Sequence, residues 1–342
     1  MKGRHLLLCV LVCVLIGAAF SAHAAVSETP RVRFYITSYI GHVGRECSVI
    51  VQCDNPRAAA SDGSFELRSH RGLVLATAQW KDPAKRLTFR FTVTEDMLGG
   101  HDLSVWHDGE RVTREAAYAA FSDLSVPRVT QLTPAEPAIA LTIVCGGGSA
   151  AQVEEILAVL DRHGVRCTFF LGGGWLEKNV DSARKIVAAG HEIGSHGYQH
   201  VHMPDMDNYR LMRNVITVMN RRCEELLGVR PRLFRAPYSD TNQKVTALCR
   251  AEGMEDVMWN IDSCDWADKY KGKPKQIIRR VTGETAVSGS VVQFHLNGYG
   301  TAQVLDAVIP VYREERGYRV VTVGELMMLS GRELPPLPQV AD

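Results

Sequence analysis

The chain has almost no charge bias: 39 Lys and Arg against 38 Asp and Glu leave a formal net charge of +1. Nucleic acids and anionic membrane surfaces are met by basic stripes or patches, so neither is expected as a partner. After residue 20 no stretch is apolar enough to span a bilayer, and no integral membrane segment is expected in the mature chain. The first 125 residues hold no cluster of His, Cys or carboxylate side chains, which argues against chemistry there. Cysteine also falls short of a disulfide framework. With Cys9 and Cys13 set aside, seven remain: Cys47, Cys53, Cys145, Cys167, Cys223, Cys249 and Cys264. An odd number leaves at least one thiol free, even in an oxidising compartment. Cys47 and Cys53 read as one strand, roughly 20 Å apart at ~3.3 Å per residue, too far to bridge.

What is present begins with an export signal. Lys2 and Arg4 precede an apolar run at residues 6–20, and Ala22-His23-Ala24 forms a small-x-small cleavage site. Residues 1–24 are therefore read as a signal peptide, cut before Ala25, which makes the mature protein secreted or periplasmic. Residues 25–125 alternate with period two. Leu87, Phe89, Phe91 and Val93 are apolar, and every residue between them is polar. Short half-buried strands punctuated by Asp-Asn-Pro and Asp-Gly turns predict an immunoglobulin-like β-sandwich. Its bland role is a spacer; a sugar- or partner-binding role is the alternative. Residues 126–137, with three prolines, read as a linker, and residues 331–342 as a Pro-rich tail.

Between them, residues 138–330 change to strand–helix alternation. The run at 138–144 is apolar apart from Thr142, as a parallel strand covered on both faces would be. Helical spacing follows in Val153, Ile156, Leu157 and Leu160, then in Leu211, Val215, Val218 and Met219 ahead of Gly228. Repeated βα units imply a parallel sheet or barrel with its chemistry at the carboxyl ends of the strands.

Four stretches at such strand ends carry chemistry. His196 and His200 stand four apart in HEIGSHGYQH, a spacing at which two neutral imidazoles reach one metal ion. FRAPYSDTN follows at 234–242, DSCDW at 262–266 and SVVQFH at 290–295. In this order they resemble the polysaccharide deacetylase family, the NodB-homology domain, over about residues 138–329. That family carries H-(S/T)-x-x-H, R-x-P-(F/Y) and D-x-x-D-W motifs, and a closing apolar strand ending in His. The resemblance implies a distorted (β/α) barrel and hydrolysis of N-acetyl groups on a cell-wall or extracellular polysaccharide or peptidoglycan. It also implies a divalent metal, with zinc the first choice, held in part by His196 and His200. His295 matches the general acid, and Asp265 the carboxylate that orients it, with Asp262 the other candidate. Arg235 matches the partner of the catalytic base, and Tyr238 and Trp266 would wall the site.

The family's T-F-D-D-G motif, which supplies the base and a metal carboxylate, reads here Thr142-Ile143-Val144-Cys145-Gly146. Val144 cannot accept a proton. Cys145 is either a thiolate ligand completing a zinc set or a buried apolar residue. Arg235, without its family partner, would pair with Asp240 or meet an anionic ligand, and Gly146-Gly147-Gly148 could offer N–H groups to an anion. Gly197 replaces the usual hydroxyl residue of the histidine motif. Two functions are thus carried forward: an exported metal-assisted deacetylase with impaired activity, and a catalytically inactive glycan-binding pseudoenzyme. A redirected hydrolase using Cys145 and Arg235 is the third.

Overall fold

The computed structural model describes residues 30–54, 64–80 and 86–337. The signal-peptide reading and the last residues of the tail lie outside them. Among the described residues nine strands build the first unit: β1 (Val32–Phe34), β2 (Ser38–His42), β3 (Glu46–Cys53), β4 (Ser64–Ser69), β5 (Val74–Gln79), β6 (Arg86–Thr92), β7 (Gly99–His107), β8 (Glu110–Arg111) and β9 (Ala117–Ser122). One sheet runs β1–β3–β6; the other runs β2–β9–β7–β4–β5, with β8 on β7. The period-two pattern sets the register: Cys47, Val49 and Val51 lie opposite Phe91, Phe89 and Leu87 on the antiparallel partner. These side chains meet Phe65, Leu67, Val105 and Phe121 of the second sheet in one buried core. Cys47 and Cys53 sit on one strand.

The sandwich is not isolated. On the other face of β9, Tyr118 and Ala120 pack with Leu211, Met212, Val215 and Leu248 of the second unit. Arg213 pairs with Asp102 across the seam at 2.9 Å. The segment at 126–137 is also more than a tether. The Leu132 N–H donates to the Gly289 carbonyl at 3.0 Å, and the Ala135 N–H to that of Leu329 at 2.8 Å. Val129 is fully buried and bridges to Val257 in parallel. Three prolines remove donors from this segment, and the N–H groups of Val129, Leu132 and Ala135 find carbonyls of the second unit. It is a strap across the second unit.

That unit holds β10 (Ala138–Cys145), β11 (Thr168–Leu171), β12 (Glu192–Ser195), β13 (Leu233–Phe234), β14 (Glu255–Asp256), β15 (Ile261–Asp262), β16 (Val291–His295) and β17 (Arg319–Val321). All pair in parallel, in the order β14–β13–β12–β11–β10–β16–β15, with β17 against β10. Among the described residues no ladder joins β14 to β15, so the sheet curls as a half-barrel rather than closing. Central β10 is buried along its whole length. Its even positions Ala138, Ala140 and Val144 face inward with Phe170 and Leu233. Its odd positions Ile139, Leu141, Ile143 and Cys145 face the helix layer. The helix Ala150–Arg162 starts from a Ser149–Gln152 capping box. Val180–Ala188 begins after Asn179, so Asp181 stands in its first turn rather than at its cap. The long helical run from Asn208 ends at Leu227, where Gly228 takes a left-handed conformation, after a π-turn at Met212–Ile216.

Two buried histidines make stability depend on pH. The Cys167 N–H donates to His191 Nδ1 at 3.2 Å, which requires a lone pair on that nitrogen. His101 lies 2.7 Å from the Ser69 hydroxyl and 2.6 Å from the Met97 carbonyl. Burial pushes both imidazoles down to about 4. An unfolded histidine titrates near ~6.5, so between there and pH ~4 the unfolded chain takes up protons that the folded chain refuses. Stability is present above that window and is lost as pH falls through it, by roughly 2 kcal/mol per histidine at pH ~5. Urea unfolding at stepped pH should show this slope, and His191→Gln should flatten it. An unchanged slope in that variant would place the protons elsewhere.

Candidate functional site

A cavity of about 590 Å³ opens at the carboxyl ends of the half-barrel strands, lined by Val144, His196, His200, Tyr238, Trp259, Asp262, Trp266, Gln293 and His295, among others. A larger cleft of about 700 Å³ lies between the sandwich and residues 330–336. Three of its charged groups pair with one another, Glu255 with Arg250 at 2.9 Å and with Arg332 at 3.0 Å, and among the described residues no histidine or cysteine lines it; the candidate chemistry lies in the smaller cavity.

His196 follows the last residue of β12, and its Nδ1 lies 2.8 Å from the Arg235 carbonyl. Donating there fixes the tautomer and leaves Nε2 with a lone pair. Burial pushes this imidazole down to about 3, so the ring is neutral. His200 stands 5.3 Å away between ring centroids, and burial lowers it too. Gly197 makes the turn between them at φ +75, where an added Cβ would also stand 2.9 Å from Val215. A hydroxyl residue would be strained there, so glycine preserves the histidine geometry.

Cys145 does not join them, which corrects the reading of it as a zinc ligand. As an odd position of β10 it is fully buried among Ile143 and Leu171, and burial pushes its thiol far up. Among the described residues no three His, Cys, Asp or Glu side chains converge to hold a metal. A zinc site takes at least three protein ligands, and two imidazoles do not meet that requirement.

Val144 lines the cavity at 4% exposure. Arg235 lies fully buried and makes no ion pair among the described residues. It does not pair with Asp240, which instead binds His202 Nδ1 at 2.8 Å. Nor does it line the cavity. Its nitrogens donate to the Val257 and Met258 carbonyls, both at 3.1 Å, to the Thr142 hydroxyl at 2.7 Å and to Gln293 Oε1 at 3.4 Å. The guanidinium rests 4.1 Å from the Phe170 ring centroid. Burial lowers its pKa to about 9, with Asp262 and Asp256 opposing, so it stays charged at neutral pH.

His295 Nδ1 lies 2.8 Å from Asp265 Oδ1. Asp265 Oδ2 accepts from the His295 N–H at 2.9 Å and the Thr301 hydroxyl at 2.8 Å. Asp262 instead accepts the Cys264 N–H at 2.8 Å, so Asp265 is the carboxylate that positions His295. Tyr238 and Trp266 stand at the mouth, each 57% exposed. Tyr238 stacks on His202 at 4.3 Å with its own backbone at φ +57. Gly146 and Gly147 line the cavity. The helix after them directs its Gln152 N–H to Ser149 rather than to an anion. Sequence reasoning missed Gln293, Trp259 and His202. The first had a legible signal, a polar residue between the apolar Val292 and Phe294 of its strand.

Residues 132–257 match the polysaccharide deacetylase family. The half-barrel domain is a polysaccharide deacetylase (NodB-homology) domain. The match contains Val144, Cys145, His196, His200 and Arg235 and ends before Asp265 and His295. An uncharacterized protein of Bacillus subtilis, YlxY, is 33% identical over 194 residues, 57% of this chain and 58% of that protein. The peptidoglycan-N-acetylmuramic acid deacetylase PdaC of the same organism is 26% identical over 203 residues, 59% of this chain and 41% of PdaC. The chain thus spans less than two thirds of either relative. Among solved structures it is similar to BA3943, a CE4 family pseudoenzyme from Bacillus anthracis, with TM-score 0.56 and 28% identity. That likeness covers 62% of this chain and 73% of BA3943. Deacetylases of this family are generally metal-dependent. Among the described residues of this chain, no helix is long and apolar enough to cross a membrane.

Proposed function

We propose that this protein is an exported member of the polysaccharide deacetylase family that binds an N-acetylated glycan of the peptidoglycan type and has lost its hydrolysis. The observation that carries this reading is the wall of the cavity at the end of β10. Val144, an apolar side chain, lines it where the family's proton acceptor would stand, and Cys145 is turned into the helix layer. Amide hydrolysis needs a group to take the proton of the attacking water, and losing a general base costs ~10²–10⁴ in rate. What remains suits binding. Two exposed aromatic rings flank the cavity, an arrangement on which sugar rings stack. The second reading, a metal-assisted deacetylase of impaired activity, draws on the intact His295–Asp265 pair and the free Nε2 of His196. In the sandwich, the order β1–β3–β6 against β9–β7–β4 supports the immunoglobulin type.

Titration of N-acetylglucosamine tetramer into the full chain, followed by calorimetry, tests the reading. Saturable binding is expected. Trp266→Ala should weaken it by roughly tenfold without lowering the unfolding temperature, since the ring is mostly exposed. An unchanged affinity in Trp266→Ala would remove the cavity mouth from the binding surface.

A further inference from the structure

Gln293 is a polar side chain on a strand that otherwise reads as core. It pairs in register with Thr142 of β10 on one side and Asp262 of β15 on the other. It is only 4% exposed, yet it lines the cavity. Its amide orientation is fixed from behind. Arg235 Nη1 donates to Oε1 at 3.4 Å, and a guanidinium carries donors only, so the amide cannot turn its NH₂ that way. The Gln293 nitrogen therefore points away from Arg235. It has no partner among the described residues and is not sealed from the cavity space.

Two other polar groups, Thr142 and His196, offer no free donor. The Thr142 hydroxyl accepts from Arg235 and donates to the Val292 carbonyl. His196 gives its Nδ1 proton to the Arg235 carbonyl and keeps only an acceptor at Nε2. The cavity thus combines a free donor at Gln293, a free acceptor at His196 Nε2, and apolar walls at Val144 and Trp259. An acetamido group presents the complement of each: a carbonyl oxygen, an N–H and a methyl.

We propose that Gln293 is the specificity-determining residue of this cavity, donating from its amide nitrogen to the acyl oxygen of an N-acetylated sugar ring. The proposal rests on the glycan-binding reading above and goes beyond it by naming the group that tells an N-acetylated ring from a free amine. A free amine at that ring position offers no carbonyl oxygen. It leaves the buried donor unpaired, which disfavours binding more than the loss of one contact alone.

The test uses the full chain with two probes, N-acetylglucosamine tetramer and glucosamine tetramer, and two variants, Gln293→Glu and Gln293→Leu. Glutamate keeps an acceptor for Arg235 and should leave the unfolding temperature unchanged or raised, but as a carboxylate it has no donor for the ligand. Leucine removes both groups. Wild type should prefer the N-acetylated tetramer. Gln293→Glu should lose about tenfold or more in affinity for it while changing affinity for glucosamine tetramer by less than about twofold. Gln293→Leu should lose the same preference. Retention of wild-type affinity by either variant overturns the proposal and leaves the glycan-binding reading standing. Equal losses on both probes in Gln293→Glu also overturn it, since they would signal general repulsion. If wild type binds neither tetramer, the glycan-binding reading itself fails and this proposal falls with it.

Discussion

Substituting aspartate for both Val144 and Cys145 is expected to make the unfolding temperature respond to zinc, which the wild type should not do. It should also raise acetate release from N-acetylglucosamine oligomers by on the order of 10²-fold. The two positions respond differently because β10 turns them to opposite faces. At 144 a carboxylate enters the cavity side near Arg235, whose charge has no ion-pair partner among the described residues, and that cation keeps it ionised. At 145 a carboxylate left among Ile143 and Leu171 would cost several kcal/mol, so Cys145→Asp alone should be destabilised. It is relieved by turning toward His196 and His200. Gly146 beside it has the room, since the nearest atom to an added Cβ there is His200 Cδ2 at 3.9 Å. Three ligands would then converge, and zinc at ~1,000 times its dissociation constant would add about 4 kcal/mol of stability. That corresponds to roughly 10 °C in the unfolding temperature. Thermal scans with and without zinc, beside an acetate assay, measure both effects. A folded double variant indifferent to zinc would show that the end of β10 cannot reorient.

Asp265→Ala should be the most damaging single change in the site, costing roughly 3–5 kcal/mol and abolishing glycan binding. This fully buried carboxylate joins three parts of the chain: the loop carrying Trp266, the end of β16 through His295, and the start of helix Thr301–Pro310 through Thr301. Removing it strands a buried N–H and an imidazole together and leaves the Thr301 hydroxyl only the His295 carbonyl. Gly298→Ala should show part of the same loss, because its Cβ would stand 2.2 Å from Asp265 Oδ2. Urea unfolding of both variants is the check. A loss under about 1 kcal/mol in Asp265→Ala would mean that water replaces the carboxylate without strain.

Much of this was legible from residue order alone. Period-two alternation gave the sandwich strands, and the apolar run at 138–144 gave the central strand of a parallel sheet. The His196–His200 spacing and the three motifs after it located the cavity. The direction in which Cys145 points was not legible. A strand's last residue either keeps the alternation or breaks it, and only the packing of Ile143 and Leu171 around the thiol decides. The strap at 126–137 was hidden because prolines signal a linker, while the partners of its Leu132 and Ala135 N–H groups lie more than 150 residues away at Gly289 and Leu329. Arg235 was read as available to a ligand because sequence shows a missing partner but not four neutral acceptors drawn from β10, β16 and the segment after β14.

The central claim is that the cavity binds an N-acetylated glycan and does not turn it over. The most direct measurement follows acetate release and binding on one preparation of the full chain, with N-acetylglucosamine tetramer and added zinc. The account expects saturable binding with acetate at the level of the protein-free control. Acetate release that saturates with substrate, and is lost in His295→Ala, would contradict it and make the chain a working deacetylase without a carboxylate at 144.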